Sequence, residues 1–467
     1  MIQLYWKNAT AEVIGPEHGI EQTDLTTLAP RLIAAHKSIV EQAQAGKLGF
    51  VNLPFRKDYR DSVMKLVEKH RPGCTDLLVL GIGGSALGNI ALQAACKPAT
   101  YNLMTDSKRG GPRLFVLDNV DPALIKDTLD LLGRRLRTTV VNVISKSGET
   151  AETASQFMII RELLRKRLGD SSFASHIVAT TDASKGTLNR IARTDGYDTL
   201  VVPDEVGGRF SILTPVGLFS AAMCGIDIDA LLAGAAAMNQ RCAVPHWEQN
   251  PACMMASILY TAYTRKGKDM HVMMPYSNRL YLMADWYRQI WAESLGKAVT
   301  RGGQEVFTGP TPIKALGATD QHSQVQLYRE GPNDKLVIFL EAEKHPEDIR
   351  VPDVFADIPG LAYLRKAKIS KLLNAEKIAT EYAMAFSKRP TLTLKFSAID
   401  EESVGEFIYL YEYVTTLMGE LMDINAFDQP AVELGKKATF ALMGREGYED
   451  VAKAIKPFTR TDAKYLL

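Results

Sequence analysis

The sequence predicts an α/β fold: two doubly wound parallel sheets with flanking helices. Three observations carry that prediction. From residue 76, short apolar, β-rich runs alternate with turn residues and helix-like stretches: LLVLGI, LFVLDNV, TVVNVIS, HIVATT and TLVVP. A second series, KDMHVMMPYS, KLVIFLEAE and TLTLKFS, is interleaved with helices expected over 280–296 and 402–422. Parallel strands need long crossovers, and helices on both faces make every strand residue apolar, which is the pattern seen. The third observation is length: 467 residues exceed one ordinary core, so two packed domains are expected.

Taken in order, residues 1–60 form an N-terminal helical segment, with helix-type spacing through Leu25, Leu28, Leu32, Ile33, Ile39 and Val40 over residues 23–46. Residues 61–241 make the first domain. The stretch Cys242 to Pro251, containing Pro245, is the candidate linker, and 242–467 make the second domain with C-terminal helices. The most apolar run, Leu213 to Ile226, is too short and too interrupted by Pro215, Gly217 and Gly225 to span a bilayer, so it predicts a buried helix and no membrane partner.

Composition narrows the function classes. Lys and Arg number 55 and nearly cancel 54 Asp and Glu, so no polyanion-binding surface is indicated and nucleic acid is not an expected partner. Cys74, Cys96, Cys224, Cys242 and Cys253 are odd in number, form no CxxC and fall in segments expected to be buried, which excludes a disulfide framework or zinc site and fits a reducing cytoplasm. The start, MIQLYWKNATAEVIG, shows no basic region followed by a long apolar stretch, so no secretory leader is expected. No pair of histidines has metal-ligand spacing, and no metal or cofactor is expected.

Chemistry concentrates in a few segments. After the strand Leu77–Leu80, Gly81, Gly83, Gly84 and Gly88 allow a tight turn whose amides approach an anion. A nucleotide-binding loop of the Walker type needs Lys after the last glycine, where this chain has Asn89. A dinucleotide fingerprint is formally met by Gly81, Gly83 and Ala86 but wants an acidic residue about 20 positions on, and the next strand ends only at Asp118. A sugar-phosphate cradle needs a second hydroxyl-rich turn, and Ser145-Lys146-Ser147-Gly148-Glu149-Thr150 supplies it after TVVNVI. Ser85, Ser145, Ser147 and Thr150 are the candidate phosphate ligands. Ser147 or Thr150 as an ordinary cap of the helix 151–168 is an equally consistent role, compatible with the first.

Moving a weakly acidic proton beside a carbonyl needs a partly desolvated base and a cation or hydrogen-bond donor at the developing oxyanion. On the helix 280–296, Leu280, Ala284, Tyr287 and Trp291 share one face, while Leu282, Trp286, Gln289 and Glu293 share the opposite one. A helix apolar on two sides is expected to be buried, which would partly desolvate Glu293; from the helix alone, a last-turn Glu paired with Lys297 is the simpler role. Arg209 follows two glycines after TLVVP and precedes a helix opened by Thr214 and Pro215, either facing a strand-end crevice or solvated in a turn. His322 reads as a turn residue before a strand SQVQLY.

The segments LGIGGSALGN, ISKSGET, VGGRFSILTPVGL, QIWAESLGK with GATDQHSQVQLYREGP, and FDQPAVELGKKA resemble, in order, the glucose-6-phosphate isomerase family. That resemblance implies two sugar isomerase (SIS) domains and cofactor-free interconversion of glucose 6-phosphate and fructose 6-phosphate, a step of glycolysis and gluconeogenesis. It implies Glu293 as the base, Arg209 as the cation at the enediolate, and His322 with Lys436 as the ring-opening pair, Lys437 being adjacent. It implies substrate contacts from Gly84, Ser85, Ser145, Lys146, Ser147, Thr150, Gln289 and Gln429, in a homodimer with shared active sites. Two rivals stay open: a non-catalytic sugar-phosphate sensor on the same domains, and an isomerase for another sugar phosphate such as mannose 6-phosphate.

Overall fold

The structure is a computed structural model and describes residues 1–345 and 347–467. Ile2–Tyr5 forms strand β1, followed by the long helix Gln22–Gln44, which buries Leu25, Leu28, Leu32 and Ile39 as its spacing predicts and leaves Ile33 exposed. The first sheet contains β2 (Asp76–Leu80), β3 (Arg113–Leu117), β4 (Thr139–Ile144), β5 (Ile177–Thr181) and β6 (Asp198–Val201). All five runs expected there are strands, paired in parallel in the order β3-β2-β4-β5-β6. β2, β4 and β5 are buried at every residue because helices cover both faces. Their side chains Leu78, Leu80, Val141, Val143, Ile177 and Ala179 share one core with Phe157, Ile160 and Leu164 of the helix Ala151–Leu168. Burying a Leu or Phe of this kind stabilises by about 1.5–3 kcal/mol.

The strand order locates a crevice. The chain starts at β2, adds β3 on one side, then crosses back to add β4 on the other, so the turns leaving β2 and β4 part from each other. Such a switch point, at the carboxyl ends of the strands, is where open parallel sheets accept ligands.

The second sheet contains β7 (Met270–Pro275), β10 (Thr311–Lys314), β11 (Lys335–Lys344) and β12 (Thr391–Ala398), with β8 (Lys297–Val299) and β9 (Glu305–Thr308) forming a separate antiparallel ribbon. Its order is β1-β12-β11-β7-β10, parallel except for β1. β7 repeats the role of β2, with its next two parallel partners on opposite sides. β1 and β10 had no strand signature: each is a four-residue edge strand, and β10 carries Pro312, which an edge tolerates because one side of the strand needs no ladder donor.

The expected strand SQVQLY is instead the helix Val325–Glu330. Tyr328 is buried, and Val325 three residues before it partly so, against Val272, Tyr276, Val337 and Phe339, so the apolar residues follow a helical period and no strand. The run Leu213–Ile226 contains the helix Pro215–Met223, buried at every residue and capped by the Thr214 hydroxyl, which accepts from Val216 N at 3.2 Å. The stretch between Cys242 and Pro251 joins two helices, Ile228–Cys242 and Pro251–Lys266. The almost wholly buried helix Glu401–Leu421 packs on both of these, on Gln22–Gln44 and on Tyr281–Leu295.

Among the described residues no helix is long and apolar enough to cross a membrane. Cys224, Cys242 and Cys253 are buried, Cys74 and Cys96 only half so, and all five are free thiols. Met1–Ala426 form one compact unit and Phe427–Leu467 another. The second is built on the helices Val432–Leu442 and Glu449–Ile455, with Phe440 and Tyr448 in edge-on contact at 5.4 Å between ring centroids.

Candidate active site

Two glycines shape the turn after β2. Gly83 has φ of +58°, a conformation side chains disfavour, and a Cβ there would lie 2.9 Å from Gln289 Nε2. A Cβ on Gly84 would meet the Gly208 carbonyl oxygen at 2.2 Å, so this turn lies directly against the one bearing Arg209. Gly84 opens the helix Gly84–Cys96, with Ser85 half-buried in its first turn.

The turn after β4 is organised by its own hydroxyls. Ser145 Oγ accepts from Gly148 N at 3.0 Å and Ser147 Oγ accepts from Glu149 N at 3.1 Å. Each hydroxyl therefore keeps its own proton to donate to an acceptor-only phosphate oxygen. Neither Ser147 nor Thr150 caps the following helix: Thr150 stands at the cap position, but its side chain makes no capping bond. The first amides of Ala151–Leu168 thus remain oriented toward the crevice end without a side-chain cap, as an anion site needs. Glu149, the one acid in the turn, accepts from Thr187 Oγ1 at 3.0 Å. The Lys146 ammonium is turned to the chain at 203–204, 2.9 Å from Asp204 Oδ1.

Arg209 is not a solvated turn residue. It is 3% exposed, and its guanidinium donates from Nε to Ser294 Oγ at 2.9 Å, from Nη2 to the Ala426 carbonyl at 2.7 Å and from Nη1 to Glu293 Oε2 at 3.4 Å. The other Glu293 oxygen accepts from Gln289 Nε2 at 3.4 Å. Arg209, Gln289 and Glu293 thus form one constellation beside Gly83 and Gly84. Lys297 does not take the Glu293 carboxylate: its ammonium, nearly buried, donates to the Glu293 main-chain carbonyl at 2.5 Å, a helix-end contact.

The helix Tyr281–Leu295 buries Trp286, Tyr287 and Trp291, yet Glu293 is not shielded to the same degree, since its side chain is 36% exposed. The expected two-sided burial holds for the body of the helix and ends at its last turn, which opens toward the glycine turns.

The remaining residues stand on other elements. His322 ends the short turn Thr319–His322 and is exposed. Its neighbours clamp that turn: Gln321 Nε2 donates to Tyr276 Oη at 2.6 Å, and Asp320 Oδ2 accepts from Leu316 N at 2.7 Å. Lys436 and Gln429 lie in the C-terminal unit, where Lys436 Nζ is 2.8 Å from Glu433 Oε1 and half exposed. Ser294 escaped the sequence reading although it follows Glu293 directly. Its signal was helical phase: it lies three and four residues after Trp291 and Ile290, on the buried face.

Comparison with known proteins identifies the family of the chain. Residues 57–452 match the phosphoglucose isomerase family. Proteins named glucose-6-phosphate isomerase from Carboxydothermus hydrogenoformans and Rubrobacter xylanophilus are 46% and 42% identical to this chain, each over 92% of it and over 92% and 96% of their own lengths. A crystal structure of a hypothetical protein from Thermus thermophilus is 35% identical with a TM-score of 0.84, covering 95% of this chain and all of that one. That of a glucose-6-phosphate isomerase from Chlamydia trachomatis, 20% identical, shares the fold with a TM-score of 0.82 over 98% of this chain and 91% of its own. With a family match over residues 57–452 and near full-length relatives on this scale, the chain belongs to the phosphoglucose isomerase family.

Proposed function

We infer that this chain interconverts D-glucose 6-phosphate and D-fructose 6-phosphate, the isomerisation shared by glycolysis and gluconeogenesis. The observation that carries the reading is the carboxylate of Glu293 held between Arg209 and Gln289, against the glycine turn at a sheet switch point. The phosphate is taken by Ser85, Ser145, Ser147 and Thr150 with the Gly84 amide and the Lys146 main chain, its dianion facing two helix N-termini. His322 and Lys436 move the protons that open the ring. Glu293 then removes the proton at C2, the electron pair passes into a cis-enediolate, the hydroxyl proton passes from O2 to O1, and Glu293 returns its proton to C1. Arg209 stabilises the enediolate oxygen; Gln289 and Gln429 bind hydroxyls. The reaction is redox-neutral within the sugar and takes no cofactor or metal; turnover surviving exhaustive chelation is the check.

We further propose residues 61–241 and 242–467 as the two SIS domains after an N-terminal segment 1–60, in a cytoplasmic homodimer whose active sites are shared. The exposed His322 on its clamped turn supports sharing, since it projects from a rigid support without a hydrogen-bond or ion-pair partner among the described residues. Isologous pairing exchanges it twice. Heterodimers of His322→Ala and Glu293→Gln subunits, each nearly inactive alone, should regain activity because one site collects both lesions and the other none. No recovery in a verified heterodimer means that each chain builds its own site. Initial rates over a panel of aldose and ketose phosphates, mannose 6-phosphate included, test the substrate; a faster reaction on another pair, or none, replaces this reading.

A further inference from the structure

We propose that Ser294 is a positioning residue for the isomerisation, acting through Arg209; this rests on the reading of Arg209 as the cation at the enediolate. Ser294 is fully buried, and its hydroxyl accepts the Nε–H of Arg209 at 2.9 Å. Along the same edge of the planar guanidinium, Nη2 donates to the Ala426 carbonyl at 2.7 Å. A guanidinium is a rigid fork, so fixing Nε and Nη2 fixes the direction of Nη1, the nitrogen that faces Glu293 Oε2. Cation and base are therefore set relative to each other by a residue bonded along the chain to the base itself. A helix-end Glu followed by a small hydroxyl residue is what this requires: Glu293 presents its carboxylate on the open side of the last turn, and Ser294, about 100° further round, presents an acceptor on the closed side.

The alternative is that Ser294 merely satisfies a buried charge and supports the fold. The two differ in coupling. Removing the hydroxyl leaves a buried, charged donor without its acceptor and lets the fork rotate, so Ser294→Ala should lower kcat roughly 10- to 100-fold, the range for a hydrogen bond to a charged group, with KM changed less than about threefold. Arg209→Lys keeps the charge but has no Nε–H, so Ser294→Ala added to it should change kcat by less than about twofold.

The experiment is steady-state kinetics on wild type, Ser294→Ala, Arg209→Lys and the double variant, with thermal unfolding of each. Strong loss in the wild-type background and almost none in the Arg209→Lys background supports the proposal. Equal losses in both backgrounds, or no loss in the first, overturn it. If Ser294→Ala does not fold, Ser294→Cys, with its weaker acceptor, takes its place under the same criteria. Failure of the underlying reading looks different: Arg209→Lys itself would then leave kcat unchanged, or wild type would show no isomerisation.

Discussion

The two sheets share one winding order, yet their switch points differ. At the first, the turns after β2 and β4 carry glycines and hydroxyls at helix N-termini. At the second, the turn after β7 carries the aromatic Tyr276, anchored to Thr380 and Gln321, and the Glu293 carboxylate sits at the far, C-terminal end of the following helix. On the proposed reading, the same topology supplies the phosphate-holding turns from one sheet and, from the end of a helix of the other, the base that meets them beside Gly83 and Gly84. Helix ends explain the division: N-termini favour the phosphate dianion, while a carboxylate at a C-terminus is not stabilised by the dipole and needs Arg209 to hold it. Holding and turnover should therefore be separable by mutation.

The largest effect should come from the proton-handling side. Glu293→Gln keeps shape and removes basicity, so kcat should fall by about 10²–10⁴-fold while sugar-phosphate binding, read by calorimetry or inhibitor displacement, persists. Near-normal turnover would end the division of labour.

Next is the seam. Gly84→Ala would place a methyl 2.2 Å from the Gly208 oxygen; that oxygen is backbone and the methyl is fixed to the Gly84 backbone, so one turn must move. Displacing the Arg209 turn by about 1 Å should cost about 100-fold in kcat/KM, with both kcat and KM affected, because this substitution alone disturbs both regions.

A smaller effect is expected on the holding side. Ser147→Asp places a second anion beside the phosphate, and repulsion of about 1–4 kcal/mol at 4 Å should raise KM by roughly 10-fold or more with kcat nearly kept. Since Ser147 does not cap the helix, a capping gain from Asp offers no compensation. An unchanged KM would remove Ser147 from the cradle.

The smallest effect concerns pH and the core behind the proton-handling region. Burial depresses His271 of β7 from 6.5 to about 3 and pushes Glu412 of the helix Glu401–Leu421 well above 4.5. His271 therefore contributes stability that is full above pH 6.5 and is lost as pH falls toward 3. Glu412 contributes stability that is full below pH 4.5 and is lost as pH rises, because the unfolded chain ionises it first. Glu412→Gln should narrow the difference in Tm between about pH 4.5 and about pH 8 by raising the value at the higher pH. A parallel shift at both pH values would mean that Glu412 is not held neutral.

The alternation of apolar runs was enough to place every strand of the first sheet and the three long ones of the second, because strands covered on both faces must be apolar throughout. Turn chemistry was equally local: Gly81 to Gly84 and Ser145 to Thr150 carry the glycines and hydroxyls of tight turns after β2 and β4. The family resemblance rested on such local segments. What needed the tertiary structure was everything set by distant partners. β1 and β10 exist because a sheet edge was available to short segments without a strand signature. SQVQLY became helix because Tyr328 found a pocket under β7 and β11. Arg209 is a buried, triply held cation only because residues 85 and 217 positions further along the chain supply its acceptors. A charge's burial and a carboxylate's neighbours depend on packing between segments remote in sequence, whereas periodicity and turn preference depend on residues a few positions apart.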